Sequence, residues 1–482
     1  MQFNSYIFVL CFLPICVCGY WLINKISYKM ADYFLILMSL MFYGYTNIRY
    51  IEILGVSIAI NYIAYRWIRK SEKYKKYIFC GAIGCNVLIL VYFKYLNFFM
   101  ENLNAIFKTD YNFISIFLPL GISFFTFQQI GFLNDVYQNK IKEVPLSDYF
   151  LFMMYFPKIS QGPITPYGEI MEQFHDKKKR KIDYNHITKG IQMFTIGLFK
   201  KLILGDTFGL AVAWGFSNVA VASAMDMILV GIFYTFQIYF DFSGYSDMAN
   251  GISYMFNIEL PMNFNSPYKA SSILDFWRRW HISLTKFLRT YIYFPLGGSK
   301  KGNIRTYLNT MIVFGVSGLW HGANWTFVLW GLLHGLASCL NRIFKEKYEK
   351  FHVVFQWGLT FIFLNVTWLL FRAENIQQFM GIVNKIVRLE NLNISQGLIS
   401  CFDLVEIRFW LETTGLVHII SKINGFYIWM FIGLAFSVCL NMENAQKKLY
   451  KNSFVSAIVC VFMLSWCIIS LGNVTGFLYF GF

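Results

Sequence analysis

The chain is short of charged residues. Asp, Glu, Lys and Arg make up 14% of its 482 residues, whereas soluble globular domains carry about a quarter. Hydrophobic residues account for 57% and aromatic residues for 20%. This composition excludes an ordinary water-soluble domain, and it indicates a protein whose main solvent is the lipid bilayer.

Metal-binding patterns and acidic residues are also scarce. The ten cysteines show neither C-x-x-C spacing nor pairing with histidine, so we expect no metal site and no bound cofactor. Lys and Arg outnumber Asp and Glu by 42 to 26. The excess lies in short loops between apolar runs, as the positive-inside rule requires, so membrane lipids are the expected partner and nucleic acid is not.

Apolar stretches long enough to cross a bilayer recur along the whole chain. They predict an all-α, multi-pass membrane protein with eleven or twelve transmembrane helices in one domain over 1–482. Within it, 1–134 holds N-terminal spans, 135–350 a core with re-entrant and interfacial helices, and 351–482 further spans and a tail. The predicted spans are 6–25, 32–49, 51–67, 77–98, 113–134, 187–212, 225–245, 306–321, 325–342, 353–371, 425–441 and 453–472.

The basic clusters predict the orientation of the chain. One follows the third span and another, at 177–181, precedes residue 187, which assigns both loops to the cytoplasm. The N-terminus and the tail are then extracytoplasmic. The stretch 263–305 contains eight basic residues and one acid, Asp275. It is too polar to span, and we expect short amphipathic helices at the cytoplasmic interface.

Histidines stand out among the residues that could carry chemistry. His321 lies at a break between two apolar helices, where a neutral imidazole with an unperturbed pKa of about 6.5 could act as a general base. A core histidine bonded to a backbone carbonyl is the alternative. His334 follows 13 residues later and projects to another face of any continuous helix.

Two further motifs each have two interpretations. Next to His281, Arg278 and Arg279 could bind anionic phosphates, or extend to lipid headgroups. The proline-rich stretch 157–166 is either a re-entrant element or a plain loop.

Several long motifs in order resemble the membrane-bound O-acyltransferase family, in particular its bacterial alginate O-acetyltransferase-type branch. They lie at 118–128, 157–166, 239–251, 277–281, 293–298 and 319–334. The resemblance implies a helical bundle around a central tunnel, in the bacterial cytoplasmic membrane. It implies that His321 is catalytic, that His281 matches a second catalytic position, and that His334 is an accessory.

The tail at 477–482 resembles the Phe-x-Tyr-x-x-Phe ending of envelope acylation systems, which implies that Tyr479 accepts the acyl group. An interfacial aromatic anchor is the alternative. The expected donor is acetyl-coenzyme A or another acyl thioester, with its phosphates near Arg278, Arg279 or neighbouring lysines. Asn324, the Trp320 or Trp325 indole, or backbone amides are candidates to stabilise the oxyanion.

The expected acceptor is an envelope polysaccharide, reached with the help of a secreted or membrane-anchored SGNH-type acetyltransferase. Alternatives are a lipid, a protein or a D-alanylated teichoic acid as acceptor. A secondary transporter or polysaccharide exporter is the alternative from another class, because buried ionisable residues and broken spans occur there too.

Overall fold

The computed structural model describes residues 1–414, 425–441, 453–473 and 476–478. Regular structure in these ranges is helical, as predicted, and includes no strand. Five of the described helices are long and apolar enough to cross a bilayer, and two more apolar helices are shorter. The all-α, multi-pass prediction is therefore confirmed, while the number of eleven or twelve crossings stays a prediction.

The first part of the chain forms long apolar helices close to the predicted spans. Two π-helical segments continue these helices: Ile7–Phe12 leads into the first helix, and Val91–Tyr95 joins the fourth to the fifth. Each segment rotates the side chains that follow it relative to a regular helix. The helices are α1 (Leu13–Ile26), α2 (Tyr28–Gly44), α3 (Arg49–Lys70), α4 (Lys75–Leu90) and α5 (Leu96–Phe107).

The predicted span 113–134 is wrong in its first half. Residues 108–118 have no regular secondary structure, and helix α6 (Ile122–Tyr137) begins after them. Pro119 has no amide N–H to donate, and Gly121 adopts a left-handed conformation with φ 71°. These two residues set the start of the helix.

The middle of the chain forms the buried core. Helices α10 and α12 pack closely where Gly197 faces Gly244, since neither residue has a side chain to separate them. A Cβ added to Gly197 would lie only 2.6 Å from the Gly244 carbonyl oxygen. The helices are α7 (Leu146–Met154), α8 (Phe156–Ile159), α9 (Tyr167–His175), α10 (Tyr184–Phe199), α11 (Asp206–Ser217) and α12 (Ala224–Met255).

Helix α12 extends beyond the predicted span 225–245 and is 32 residues long. Asp241 and Asp247 are therefore inside the helix and not at its end. Asp241 pairs with Lys201 at 2.6 Å and Asp247 pairs with Lys200 at 2.7 Å. Both lysines are buried, and they belong to the π-helical segment Lys200–Gly205 that joins α10 to α11.

The rest of the chain contains an antiparallel hairpin of two helices, α15 and α16. Their backbones come close at two glycines. A Cβ added to Gly318 would lie 2.4 Å from the Phe327 carbonyl oxygen, and a Cβ added to Gly331 would lie 2.3 Å from the Phe314 carbonyl oxygen. The helices are α13 (Ile273–Arg279), α14 (Ile282–Leu288), α15 (Gly302–His321), α16 (Trp325–Ile343), α17 (Lys345–Tyr348), α18 (Val353–Arg372), α19 (Ile376–Arg388), α20 (Gln396–Ser400), α21 (Val405–Thr413), α22 (Phe426–Asn441) and α23 (Phe454–Ser470).

Helices α13 and α14 are short, as predicted for 263–305. Their large aromatic side chains do not lie on a surface, because Phe276, Trp277 and Trp280 are buried in the protein. Arg278 is exposed. The two helices are therefore packed between neighbouring helices, and Arg278 of α13 faces outward.

Candidate active site

His321 lies at the break between helices that the sequence predicts. It is the last residue of α15, and α16 begins at Trp325. Its side chain is buried, and its ring centroid lies 4.9 Å from Trp320, 5.2 Å from Trp330 and 5.3 Å from Phe371. Three aromatic rings therefore fix the plane of the imidazole.

The backbone at His321 is fixed by two side chains from the first part of the chain. Lys94 Nζ donates hydrogen bonds to the carbonyls of Trp320 at 2.7 Å and His321 at 3.0 Å, and the Tyr95 hydroxyl donates to Leu319. A cation is favourable at a helix C-terminus, where carbonyls lack intrahelical partners. The contact spans more than 220 positions of sequence, so sequence patterns do not reveal it.

A cavity of 190 Å³ reaches His321 from the surface at the exposed Thr46. Its lining includes the side chains of Ser123, Ser160 and Gln161. Gln161 is 2% exposed, and neither its amide oxygen nor its amide nitrogen has a hydrogen-bond partner in the described part of the chain. A buried amide without a partner is costly, so this cavity is suited to a polar ligand. We call it the histidine cavity.

Gln161 belongs to the proline-rich stretch 157–166, for which the sequence allows a re-entrant element or a plain loop. Residues 151–165 are buried without interruption, and α8 lies among them. A plain surface loop would not be buried in this way. The stretch is therefore an internal element, and it carries a polar residue to the histidine cavity that sequence reasoning missed.

His281 is completely buried and has a left-handed backbone with φ 44°, which is uncommon for any residue but glycine. Its Nδ1 lies 3.1 Å from Asn263 Oδ1, which also accepts from the Ser283 N–H. Because that oxygen is an acceptor, Nδ1 of His281 carries the proton and Nε2 can accept one. Nε2 has no partner among the described residues.

The two histidines predicted to be catalytic both contact Trp320. Its indole ring centroid is 4.9 Å from His321 and 6.0 Å from His281. The structure therefore brings His321 and His281 into one neighbourhood, although 40 positions of sequence separate them.

His334 is nearby, but both of its ring nitrogens are used. Trp277 Nε1 donates to His334 Nδ1 at 3.2 Å, and Nε2 lies 3.1 Å from Thr367 Oγ1. An indole N–H can only donate, so Nδ1 accepts and the neutral ring carries its proton on Nε2. This arrangement supports a packing role beside Trp330, whose ring centroid is 4.8 Å away.

Asn324 and Trp320 do not direct their donors to the imidazole. Asn324 caps α16, since its side-chain oxygen accepts from Thr326 N–H at 3.0 Å and its amide nitrogen donates to the Glu374 carbonyl at 2.8 Å. The Trp320 indole donates to the Ser123 carbonyl at 3.4 Å. Trp325 Nε1 donates to Asn102 Oδ1. These contacts give no support to the three side chains as oxyanion donors.

A second cavity, of 360 Å³, lies between α13, α14, α15 and α16. Three arginines line it, Arg278, Arg289 and Arg342. Arg279 does not; its Nε pairs with Asp275 at 2.9 Å. The structure thus separates the two arginines that were predicted to act together, and it adds two others. We call this the arginine cavity.

The two cavities share no lining residue among those that the structure describes. Aromatic rings lie between them: Trp277 lines the arginine cavity and contacts Trp330 at 5.8 Å, and Trp330 contacts His321. A continuous central tunnel therefore stays a prediction.

Tyr479, the predicted acyl acceptor in the tail, lies outside the described residues. Phe477, two residues before it, is buried in the protein and is not at a lipid interface.

Comparison with known proteins identifies the class of enzyme to which this site belongs. The family model of the membrane-bound O-acyltransferase family matches residues 136–377. The chain belongs to this family, and it is an O-acyltransferase. The transporter and exporter alternative is therefore wrong.

Individual relatives show which reactions the family branch includes. The chain is 38% identical to a peptidoglycan O-acetyltransferase of Helicobacter pylori over 82% of this chain and 81% of the relative. It is 34% identical to a probable alginate O-acetylase AlgI of Pseudomonas putida over 78% of each. It is 30% identical to a teichoic acid D-alanyltransferase of Bacillus subtilis over 61% of this chain and 74% of the relative.

Proposed function

We propose that the chain transfers an acetyl group from cytoplasmic acetyl-coenzyme A to an envelope polysaccharide across the bacterial cytoplasmic membrane. A buried histidine at a cavity that contains an unpartnered buried amide, in a chain of the O-acyltransferase family, is the observation that carries this proposal. The two most similar relatives described above are named for acetyl transfer to envelope glycans.

The arginine cavity is the proposed donor site. Guanidinium groups bind phosphates through several N–H donors, and Arg278, Arg289 and Arg342 converge on one space. The predicted cytoplasmic position of 263–305 places this site on the side where acyl thioesters are available. The histidine cavity, which includes Trp320 and His321 at the C-terminal end of α15, is the proposed acceptor side.

His321 is the proposed general base. It takes the proton from the acceptor hydroxyl, in our proposal that of Tyr479, and the resulting oxygen anion attacks the thioester carbonyl. The carbon–sulfur bond then breaks, and the leaving thiolate takes the proton back from His321. A downstream SGNH-type acetyltransferase would move the acetyl group from Tyr479 to the glycan.

Gln161 and His281 are proposed to assist this step. The amide nitrogen of Gln161 is the buried donor in the histidine cavity that can stabilise the oxyanion. His281, with Nε2 as an acceptor, can accept a proton or hydrogen bond from a group near Trp320. Its left-handed backbone is a local strain of the kind that occurs at functional sites.

D-alanyl transfer to teichoic acid is the second candidate, because one relative is named for that reaction. The donor distinguishes the two candidates. Acetyl-coenzyme A should acylate the purified protein if the first candidate is correct, whereas a D-alanyl carrier-protein thioester should do so if the second is.

The proposal is tested by envelope O-acetyl content in cells that express His321→Ala or Tyr479→Phe. We expect His321→Ala to lower acetylation by about a hundredfold or more, the range for loss of a general base, and Tyr479→Phe to abolish the relay. His175→Ala is the control, because that side chain is exposed and pairs with Asp148 at the surface. Wild-type acetylation in a well-expressed His321→Ala variant would exclude the catalytic role.

A further inference from the structure

A buried ionic cluster lies away from the histidines. Lys201 Nζ donates to Asp241 at 2.6 Å and to Asp206 at 2.8 Å, and Lys201 and Asp241 are 1% and 2% exposed. Burying charges is costly even when they are paired, so such a cluster needs a reason beyond stability. The mechanism above does not use it.

This cluster binds the segment 476–478. Lys201 Nζ donates to the Gly476 carbonyl at 3.1 Å, and the Leu478 N–H donates to Asp241 Oδ2 at 3.1 Å. Lys201 Nζ also lies 4.8 Å from the centroid of the Phe477 ring, a cation–π distance. Both charges of the pair are therefore bonded to the backbone of the segment.

The same segment is connected to the histidine cavity. The Phe477 ring packs edge-on against Tyr245 at 5.0 Å, and the Tyr245 hydroxyl lies 2.6 Å from Ser160 Oγ. Ser160 and its neighbour Gln161 line the histidine cavity. One layer of side chains thus separates the segment 476–478 from the cavity wall.

We propose that Lys201 and Asp241 are positioning residues for the relay: they hold the backbone of 476–478, which directly precedes the proposed acceptor Tyr479 in sequence, one layer of side chains from the wall of the histidine cavity. This inference rests on the proposed relay through Tyr479. The bonds to backbone atoms on both sides of Phe477 fix the backbone of 476–478. Such fixation is what an acceptor needs, because misplacement by about 1 Å can cost a hundredfold in rate.

The structure offers a matched control. Lys200 and Asp247 form a second buried pair at 2.7 Å, on the same π-helical segment and on α12. Within the described ranges, no hydrogen bond joins this pair to 476–478. Replacing both members of a pair avoids leaving either one buried without the other. Because Lys201→Met also removes the bond to the partly exposed Asp206, Lys201→Met/Asp241→Asn and Lys200→Met/Asp247→Asn should differ in the contact with the segment and in that bond, and Asp206→Asn alone reports the second difference.

The experiment uses the full-length protein in lipid nanodiscs. Hydrogen–deuterium exchange of the peptide that contains 476–478 reports whether the Leu478 amide is bonded. Mass spectrometry after incubation with acetyl-coenzyme A reports acetyl-Tyr479. In Lys201→Met/Asp241→Asn we expect the peptide to exchange about tenfold faster than in the wild type, or faster still. We expect the amount of acetyl-Tyr479 to fall by about tenfold or more. The control pair should match the wild type in both.

The outcomes separate the positioning role from the relay. If wild-type Tyr479 is acetylated and Lys201→Met/Asp241→Asn changes neither measurement, the positioning role is overturned while the relay stands. Equal effects in the control pair would also overturn it, since they would show a structural role shared by both pairs. If wild-type Tyr479 is never acetylated, both proposals fail. Should the double variant not fold, Asp241→Asn alone keeps the side-chain volume and should change both measurements in the same direction.

Discussion

The two cavities differ in the chemistry of their walls. The histidine cavity is lined by apolar residues together with a few polar ones, among them Gln161 and a single lysine, Lys94, and it reaches His321. The arginine cavity is lined by Arg278 and two further arginines, and lies where basic residues cluster in sequence. The histidine cavity can stabilise a reacting group away from water, whereas the arginine cavity can bind a soluble anion.

This difference suggests how one chain can use a water-soluble donor and an acceptor on the opposite side. Binding energy from the phosphates of the donor would be supplied at the arginine cavity, while the developing charge is stabilised at the histidine cavity. Substitutions in the two cavities should therefore change different kinetic constants. Changes at the histidine cavity should lower kcat, and changes at the arginine cavity should raise KM for the donor.

The largest effect among the remaining tests is expected for Gln161→Ala. Loss of an oxyanion donor should lower kcat for acetyl transfer by about a hundredfold, with little change in KM for acetyl-coenzyme A. Steady-state kinetics of the purified protein, with the SGNH-type acetyltransferase and its glycan acceptor supplied, measure both. Gln173→Ala is the control, because Gln173 bonds to Glu169 and Glu259 at the surface. Unchanged kcat in Gln161→Ala would remove Gln161 from the chemistry.

An intermediate effect is expected at the arginine cavity. Arg278→Ala should raise KM for acetyl-coenzyme A by about tenfold at unchanged kcat, as expected for the loss of one charge-assisted hydrogen bond to phosphate. Arg279→Ala is the matched control, since Arg279 is the next residue but pairs with Asp275. If Arg279→Ala raised KM as much as Arg278→Ala did, the difference between the two arginines would be lost, and with it the donor site proposed here.

The position of His321 could be predicted from the sequence because it depends on local signals. Apolar runs before and after 321–324 define α15 and α16 to within a few residues, and Asn324 is a good N-cap that starts the second helix. The break that holds the imidazole is a consequence of these local preferences. The same reasoning failed at 113–121, where an apolar run contains Pro119 and Gly121 and does not form a helix.

Other site residues could not be predicted because tertiary contacts decide where they point. Lys94 reaches His321 only because the π-helical segment Val91–Tyr95 lies beside the end of α15, and Arg342 joins Arg278 only because α16 packs against α13. Asn324 was predicted to assist catalysis, but local capping uses its side chain. Sequence alone gives residue types and helix ends, and it does not give the direction of a side chain in a bundle.

The smallest effect on chemistry is expected for His334, which contacts the same Trp330 ring as His321 but has both ring nitrogens bonded within the protein. His334→Ala leaves the Trp277 N–H without a buried acceptor, which costs about 1–3 kcal/mol. We expect a lower Tm by nanodisc thermal unfolding and a kcat within about tenfold of the wild type. If His334→Ala instead lost activity as His321→Ala should while Tm was unchanged, His334 would take part in the reaction, and the hydrogen bonds from Trp277 and to Thr367 would have to break during turnover.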